Sequence, residues 1–244
     1  MSARLALVHP DAEVLAEAVA ARLLSRLVEL QSLQEEVHLV LTGGTVGIAS
    51  LAAVRRSPVR LAVDWSAVHL WWGDERFLPT GHADRNETQA REALLDALPL
   101  DAAKVHPVPA ADLVASPEES AERYAAELAA HAPQGASLPR FDVLLLGVGP
   151  DGHVASLFPG HPALAAQGTV VGVHGSPKPP PLRTSLTFEA IRSAEEVWLV
   201  VAGAEKAPVV RRALEEAPVT DVPAAGATGR SRTFWLLDLA AASA

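Results

Sequence analysis

Asp151 and His153 stand two residues apart in Gly147-Val148-Gly149-Pro150-Asp151-Gly152-His153, directly after an apolar run, residues 143–148. An imidazole is the side chain that most readily exchanges a proton near neutrality, and a neighbouring carboxylate can orient it. The pair is therefore either an acid/base site or a structural histidine beside a turn. The same segment has the spacing GxGxxG of a dinucleotide fold, but three features exclude that reading. Asp151 would bring a carboxylate to the pyrophosphate, Pro150 deletes a main-chain donor, and no Asp or Glu lies between Gly152 and Phe188 to hold a ribose.

Three other places could act on the same ligand. Thr42-Gly43-Gly44-Thr45 follows the run 37–41 and combines glycines, which let backbone N–H groups approach an anion, with two hydroxyls. It reads as a phosphate cradle or as a tight turn with capping threonines; it is not a nucleotide-hydrolase P-loop, because no lysine precedes Lys104. Asp74, Glu75 and Arg76 emerge after Trp71 and Trp72, as a satisfied surface network or as groups that orient a substrate and a histidine. Lys206, one of three lysines, and Arg183, in Arg183-Thr184-Ser185, are either anion ligands or ordinary helix and loop cations.

The elements that must position these residues form an α/β chain. Short β-type runs at residues 5–8, 37–41, 68–72, 143–148, 169–173, 197–201 and 233–237 alternate with helical periods. That alternation predicts an open, mostly parallel Rossmann-like sheet with helices on both faces. Val14, Leu15, Ala18, Val19, Leu23, Leu24 and Leu27 recur at helical spacing after Asp11, a good N-cap. Further helical patterns cover residues 87–98, 117–130 and 205–216; residues 55–58, 131–140, 175–181 and 217–230 read as loops. Ligands of such sheets bind beyond the carboxyl ends of the strands, where all the segments above except Arg183 fall. No segment demands a boundary, so residues 1–244 are expected to form a single domain.

Composition narrows the chemistry further. The 244 residues carry 20 basic and 29 acidic side chains, a net charge of −9, which argues against bulk binding to nucleic acid or anionic lipid. An anionic ligand would need local basic groups. With no cysteine there are no disulfides, thiolate metal sites or thiol nucleophile. Neither HExxH nor GxSxG occurs, and the nine histidines are mostly scattered, so no metal is expected. Asp11 interrupts the first apolar stretch too early for a signal peptide, and residues 152–177, the longest stretch without formal charge, contain three histidines and three prolines. The chain is expected to be cytoplasmic, without a membrane span.

Taken in order, these segments resemble the 6-phosphogluconolactonase family, the pentose-phosphate-pathway relatives of glucosamine-6-phosphate deaminase/isomerase. The resemblance extends over nearly the whole chain, to Leu239. It is carried by Trp72-Gly73-Asp74-Glu75-Arg76 with His82 and Asn86 following, and by the run from Leu146-Gly147-Val148-Gly149-Pro150-Asp151-Gly152-His153 through Val154-Ala155-Ser156-Leu157-Phe158-Pro159. It implies that Thr42, Gly43, Gly44, Thr45, Arg183 and Lys206 hold a substrate phosphate, that Arg76 faces the substrate, and that His153 is the base. Asp151 or Asp74 would orient the imidazole. The implied reaction is hydrolysis of 6-phospho-D-glucono-1,5-lactone, without cofactor or metal. The partner is a small phosphosugar lactone, not nucleic acid or membrane, and the chain is a monomer or weak homo-oligomer.

Two departures qualify the resemblance. The family's Ser-Gly-Gly-Ser-Thr-Pro is here Thr42-Gly43-Gly44-Thr45-Val46-Gly47, and the glutamate ending the deaminases' Gly-His-Ile-Ala-Phe-Asn-Glu aligns with Phe158. The second favours a hydrolase, since moving protons between adjacent sugar carbons calls for more acid/base groups. A sugar-phosphate isomerase or deaminase and a non-catalytic sugar-phosphate-binding module are the alternatives.

Overall fold

The computed structural model describes residues 3–243. Its strands are β1 (Ala3–His9), β2 (Val37–Leu41), β3 (Val68–Trp72), β4 (Asp74–Arg76), β5 (Val143–Gly147), β6 (Val170–Val173), β7 (Arg183–Leu186), β8 (Glu196–Val201) and β9 (Arg232–Asp238). The helices are α1 (Ala12–Gln31), α2 (Thr45–Arg56), α3 (Asn86–Ala93), α4 (Pro117–Ala130), α5 (Phe188–Ser193), α6 (Ala207–Leu214) and α7 (Leu239–Ala242).

Six strands form one parallel sheet in the order β1-β9-β8-β5-β2-β3. Both β3 and β8 are buried along their whole length, as strands covered on both faces must be. The apolar stripe of α1 is buried from Leu15 to Leu30, and the Asp11 carboxylate accepts the Val14 N–H at 2.8 Å, so the expected cap is the observed one. Among the described residues no helix is long and apolar enough to cross a membrane.

The run 169–173 was expected in the parallel sheet and lies elsewhere. It becomes β6 of a second, antiparallel sheet ordered β4-β7-β6. Gly73 joins the two sheets: its N–H donates to Leu41 of β2 at 3.0 Å and its carbonyl accepts from Leu186 of β7 at 2.9 Å. The helical pattern over 87–98 is also shorter than expected. Helix α3 ends at Ala93, Leu94 departs from helical geometry, and one 3-10 turn follows.

The chain order reverses between β2, which leads to β3 on one side, and β5, which leads to β8 on the other. Pairing of β2 with β5 covers only Leu39 with Val143 and Val40 with Leu144. Their carboxyl ends therefore diverge, which opens the crevice where open sheets bind ligands.

The histidines are less scattered than the sequence suggests. His38 and His69, paired across β2 and β3, stack at 4.5 Å, and His106 and His131 join them around Trp71 at the amino-terminal end of the sheet. Burial pushes His38 down to about 3 and His106 down to about 4.

Candidate active site

A cavity of about 610 Å³ opens where β2 and β5 part. Its walls bring together Thr42, Gly43, Gly44, Thr45, Asp74, Arg76, His153, Arg183 and Lys206, residues drawn from five separate stretches of chain. Asp151 is not on the wall; it stands behind His153.

The His153 turn is built by its sequence. The Gly152 N–H donates to the Gly149 carbonyl at 2.9 Å across Pro150 and Asp151, a turn that suits proline at its second position. The Gly149 N–H then donates to the His153 carbonyl, which folds the imidazole back over the strand end. A methyl on Gly149 would overlap both the imidazole and the Asp151 carboxylate, so this position must lack a side chain. No helix begins within this segment, so the rejected dinucleotide motif has no helix N-terminus to offer a pyrophosphate.

Nδ1 of His153 lies 2.5 Å from Oδ1 of Asp151. Burial alone would raise the Asp151 carboxyl, but the hydrogen bond from His153 and the charges of His153 and Lys178 outweigh it and hold the group at about 2. It is an anion at neutral pH and fixes Nδ1 as the protonated nitrogen. Nε2 is left for the cavity. The Phe158 ring packs on the imidazole at 4.6 Å and is itself buried.

Asp74 is held differently. Its Oδ2 accepts the Ser156 hydroxyl at 2.7 Å, and its Oδ1 and carbonyl accept the Asn86 amide at 3.3 and 2.8 Å. Of the two carboxylates considered for orienting the imidazole, only Asp151 touches it among the contacts described.

The remaining wall is basic. Arg76 donates through Nη1 to the Asp84 carbonyl, while its Nε is buried without a partner. Arg183 lies on β7, not in a loop; Nε and Nη2 donate to the carbonyls of Pro180, Lys178 and Pro179, which orders the segment read as loop 175–181. Burial lowers the Lys206 ammonium, with Glu205 opposing and Lys178 adding to the shift. Burial lowers the Arg183 guanidinium as well, with Asp74 opposing and Arg76 adding. An anion placed among these cations would relieve both.

Thr42 to Thr45 supply the other pole. Gly44 caps α2 with no side-chain hydrogen bond, so the first N–H groups of a 12-residue helix are left without a side-chain cap at the cavity. Gly43 packs against the Asn86 amide so closely that a side chain there would collide with it. The Thr42 hydroxyl accepts the Gly147 N–H at 3.1 Å, which links this loop to the strand that leads into the His153 turn.

Sequence reasoning did not single out Lys178, Ser156 or Glu205. Lys178 lies in a Pro-rich segment with no periodic signal, yet it lines the cavity and sits 3.9 Å from Asp151. The scarcity of lysine was the one available clue.

A parallel α/β sheet with a second small sheet and a basic cavity at the strand reversal defines a class of protein built to hold a small anionic ligand, and a family model says which one. The model for glucosamine-6-phosphate isomerases/6-phosphogluconolactonase matches residues 10–235, and the chain belongs to that family. A 6-phosphogluconolactonase of Streptomyces coelicolor is 56% identical over 241 residues, 97% of this chain and 92% of its own. The solved 6-phosphogluconolactonase of Trypanosoma brucei superposes with a TM-score of 0.84 at 29% identity, covering 100% of this chain and 99% of its own. A monomeric glucosamine-6-phosphate deaminase shares the fold, with a TM-score of 0.79 at 19% identity over 98% of this chain and 99% of its own.

Proposed function

We propose that the chain hydrolyses 6-phospho-D-glucono-1,5-lactone to 6-phospho-D-gluconate, a step of the pentose phosphate pathway, with His153 as general base. The observation that carries the mechanism is the Asp151-bound imidazole, with Nδ1 fixed at 2.5 Å and Nε2 left for a cavity whose far wall is basic. Nε2 takes a proton from water as its oxygen attacks the lactone carbonyl. The ring C–O bond then breaks, and the same proton returns to the departing ring oxygen. Asp151 stabilises the imidazolium between the two events. Arg76 and the backbone N–H groups nearby stabilise the oxyanion, so the route calls on no Lewis acid.

Lys206, Arg183 and the N-terminus of α2 hold the phosphate and supply remote binding energy that positions the carbonyl. Phe158 argues against the deaminase alternative. It places a buried aromatic ring against His153 where the deaminase pattern has a carboxylate, so that acid/base group is replaced by an apolar side chain.

The test is lactone hydrolysis corrected for spontaneous opening, with ammonia and ketose formation assayed in parallel. His153→Ala should lower kcat by roughly 10²- to 10⁴-fold while 6-phosphogluconate still binds. A variant with near-wild-type kcat would remove His153 from the mechanism.

A further inference from the structure

At the end of the sheet opposite the cavity, one ring nitrogen from each of His69, His106 and His131 lies within 4.8 Å of the other two. Three different elements supply them: β3, the segment whose His106 N–H donates to Leu70, and the C-terminus of α4. Their hydrogen bonds fix where the protons are. Nδ1 of His131 faces the Glu127 carbonyl at 3.0 Å, and a carbonyl can only accept, so Nδ1 is protonated and Nε2 carries a lone pair. Nδ1 of His106 faces the Glu127 carboxylate at 2.8 Å, so it too is protonated and its Nε2 is bare.

That bare Nε2 lies 3.0 Å from Nδ1 of His69, in nearly coplanar rings. If His69 donates from Nδ1, its own Nε2 has no proton and points at the Glu36 carboxylate, 3.4 Å away, as one acceptor to another. This Nε2 is buried and makes no hydrogen bond. If the proton sits on Nε2 instead, two lone pairs face each other across 3.0 Å. Neither neutral tautomer satisfies both sides.

We propose that His69, His106 and His131 bind a divalent transition-metal ion, of the zinc class, at a site separate from the active cavity. A cation removes the conflict. His69 moves its proton to Nε2, toward Glu36, and Nδ1 of His69 joins Nε2 of His106 and Nε2 of His131 as ligands, with no net proton change. Each ligand ring then has an acceptor behind its other nitrogen: Glu36, the Glu127 carboxylate and the Glu127 carbonyl, the arrangement that orients metal-bound imidazoles. Metal–nitrogen bonds of about 2.0–2.1 Å place tetrahedral ligand atoms roughly 3.3 Å apart, so the rings must reorient and the widest separation must close by at most about 1.5 Å. The partly exposed His131, at a helix end, has the freedom to do so. Glu36 and Glu127 add negative charge near the ion, and Lys104, 2.8 Å from Glu36, offsets part of it. Imidazole ligands favour zinc, copper and nickel over magnesium or calcium.

Untagged, chelator-treated protein titrated with Zn²⁺ in a calorimeter should take up one equivalent, raise its Tm, and give the intense visible absorption of a tetrahedral site when Co²⁺ replaces Zn²⁺. His131→Ala should lose that equivalent, and Glu127→Gln should weaken it by about 10- to 100-fold, both with lactone hydrolysis unchanged. His153→Ala should retain it. The proposal is overturned if the wild type takes up no ion, if His131→Ala and Glu127→Gln both bind as the wild type does, or if the equivalent disappears with His153→Ala.

Discussion

Asp151 and Asp74 are both carboxylates near one imidazole, and their partners assign them different work. Asp151 bonds Nδ1 of His153, whereas Asp74 is engaged by Ser156 and Asn86. Asp151→Asn should therefore cost kcat roughly 10²-fold or more, by freeing the wrong tautomer, with little change in product affinity. Equal kcat for the variant and the wild type would return Asp151 to a structural role. The same pair carries a pH signature. The folded-state carboxyl, held at about 2, lies below its unfolded value, so its stabilisation is present above about pH 4 and is lost as pH falls toward 2. In urea melts the gap between wild type and Asp151→Asn should shrink over that window; a constant gap would sink the linkage. Lys206 and Arg183 separate in another way. Lys206→Ala should raise KM by about 10- to 150-fold, the value of one charge-assisted contact of about 1.5–3 kcal/mol, and leave Tm near that of the wild type. Arg183→Ala should raise KM and also lower Tm, because its guanidinium orders the carbonyls of residues 178–180. Unchanged kinetics in both would leave the phosphate grip without support.

The long elements were legible from period alone. The α1 stripe, its Asp11 cap and six of the seven apolar runs sit where the pattern put them. The elements that complete the site were not. Strand β4 is Asp74-Glu75-Arg76, three charged residues with no strand signature, and β7 begins with Arg183. Their pairing is decided by tertiary contact: Glu75 accepts the N–H groups of Arg76, Asn86 and Glu87 at 2.8, 2.6 and 2.9 Å, and Arg85 lies 3.7 Å away. This one buried side chain thus fixes β4 against the start of α3. Glu75→Gln keeps the shape but turns a donor toward donors, and should cost about 1.5–3 kcal/mol in denaturant unfolding. A loss under 0.5 kcal/mol would mean that β4 is held by other contacts. The candidate residues other than Arg183, by contrast, were legible as candidates because they follow strand ends; Lys178 escaped because its position depends on a proline-rich path held by Arg183 and Ser176.

At the scale of the molecule, a net charge of −9 coexists with a cavity walled by Arg76, Arg183, Lys178 and Lys206. The overall balance argues against a broad anionic surface partner, while the local balance suits a small anion. Glucono-lactone without its phosphate should accordingly be a much poorer substrate. The 3.1 Å bond from the Gly147 N–H to the Thr42 hydroxyl adds something further. It couples the floor of the Thr42–Thr45 loop to the strand that ends in the His153 turn, so an anion filling that loop, as proposed, should tighten the His153 turn even when the anion and the sugar are separate molecules. Inorganic phosphate, a competitor toward the natural substrate, should then act as an activator toward the phosphate-free lactone and raise its kcat/KM. Thr42→Val should abolish the activation but leave phosphate binding measurable; if added phosphate leaves the truncated lactone's turnover flat in the wild type, the two loops do not communicate.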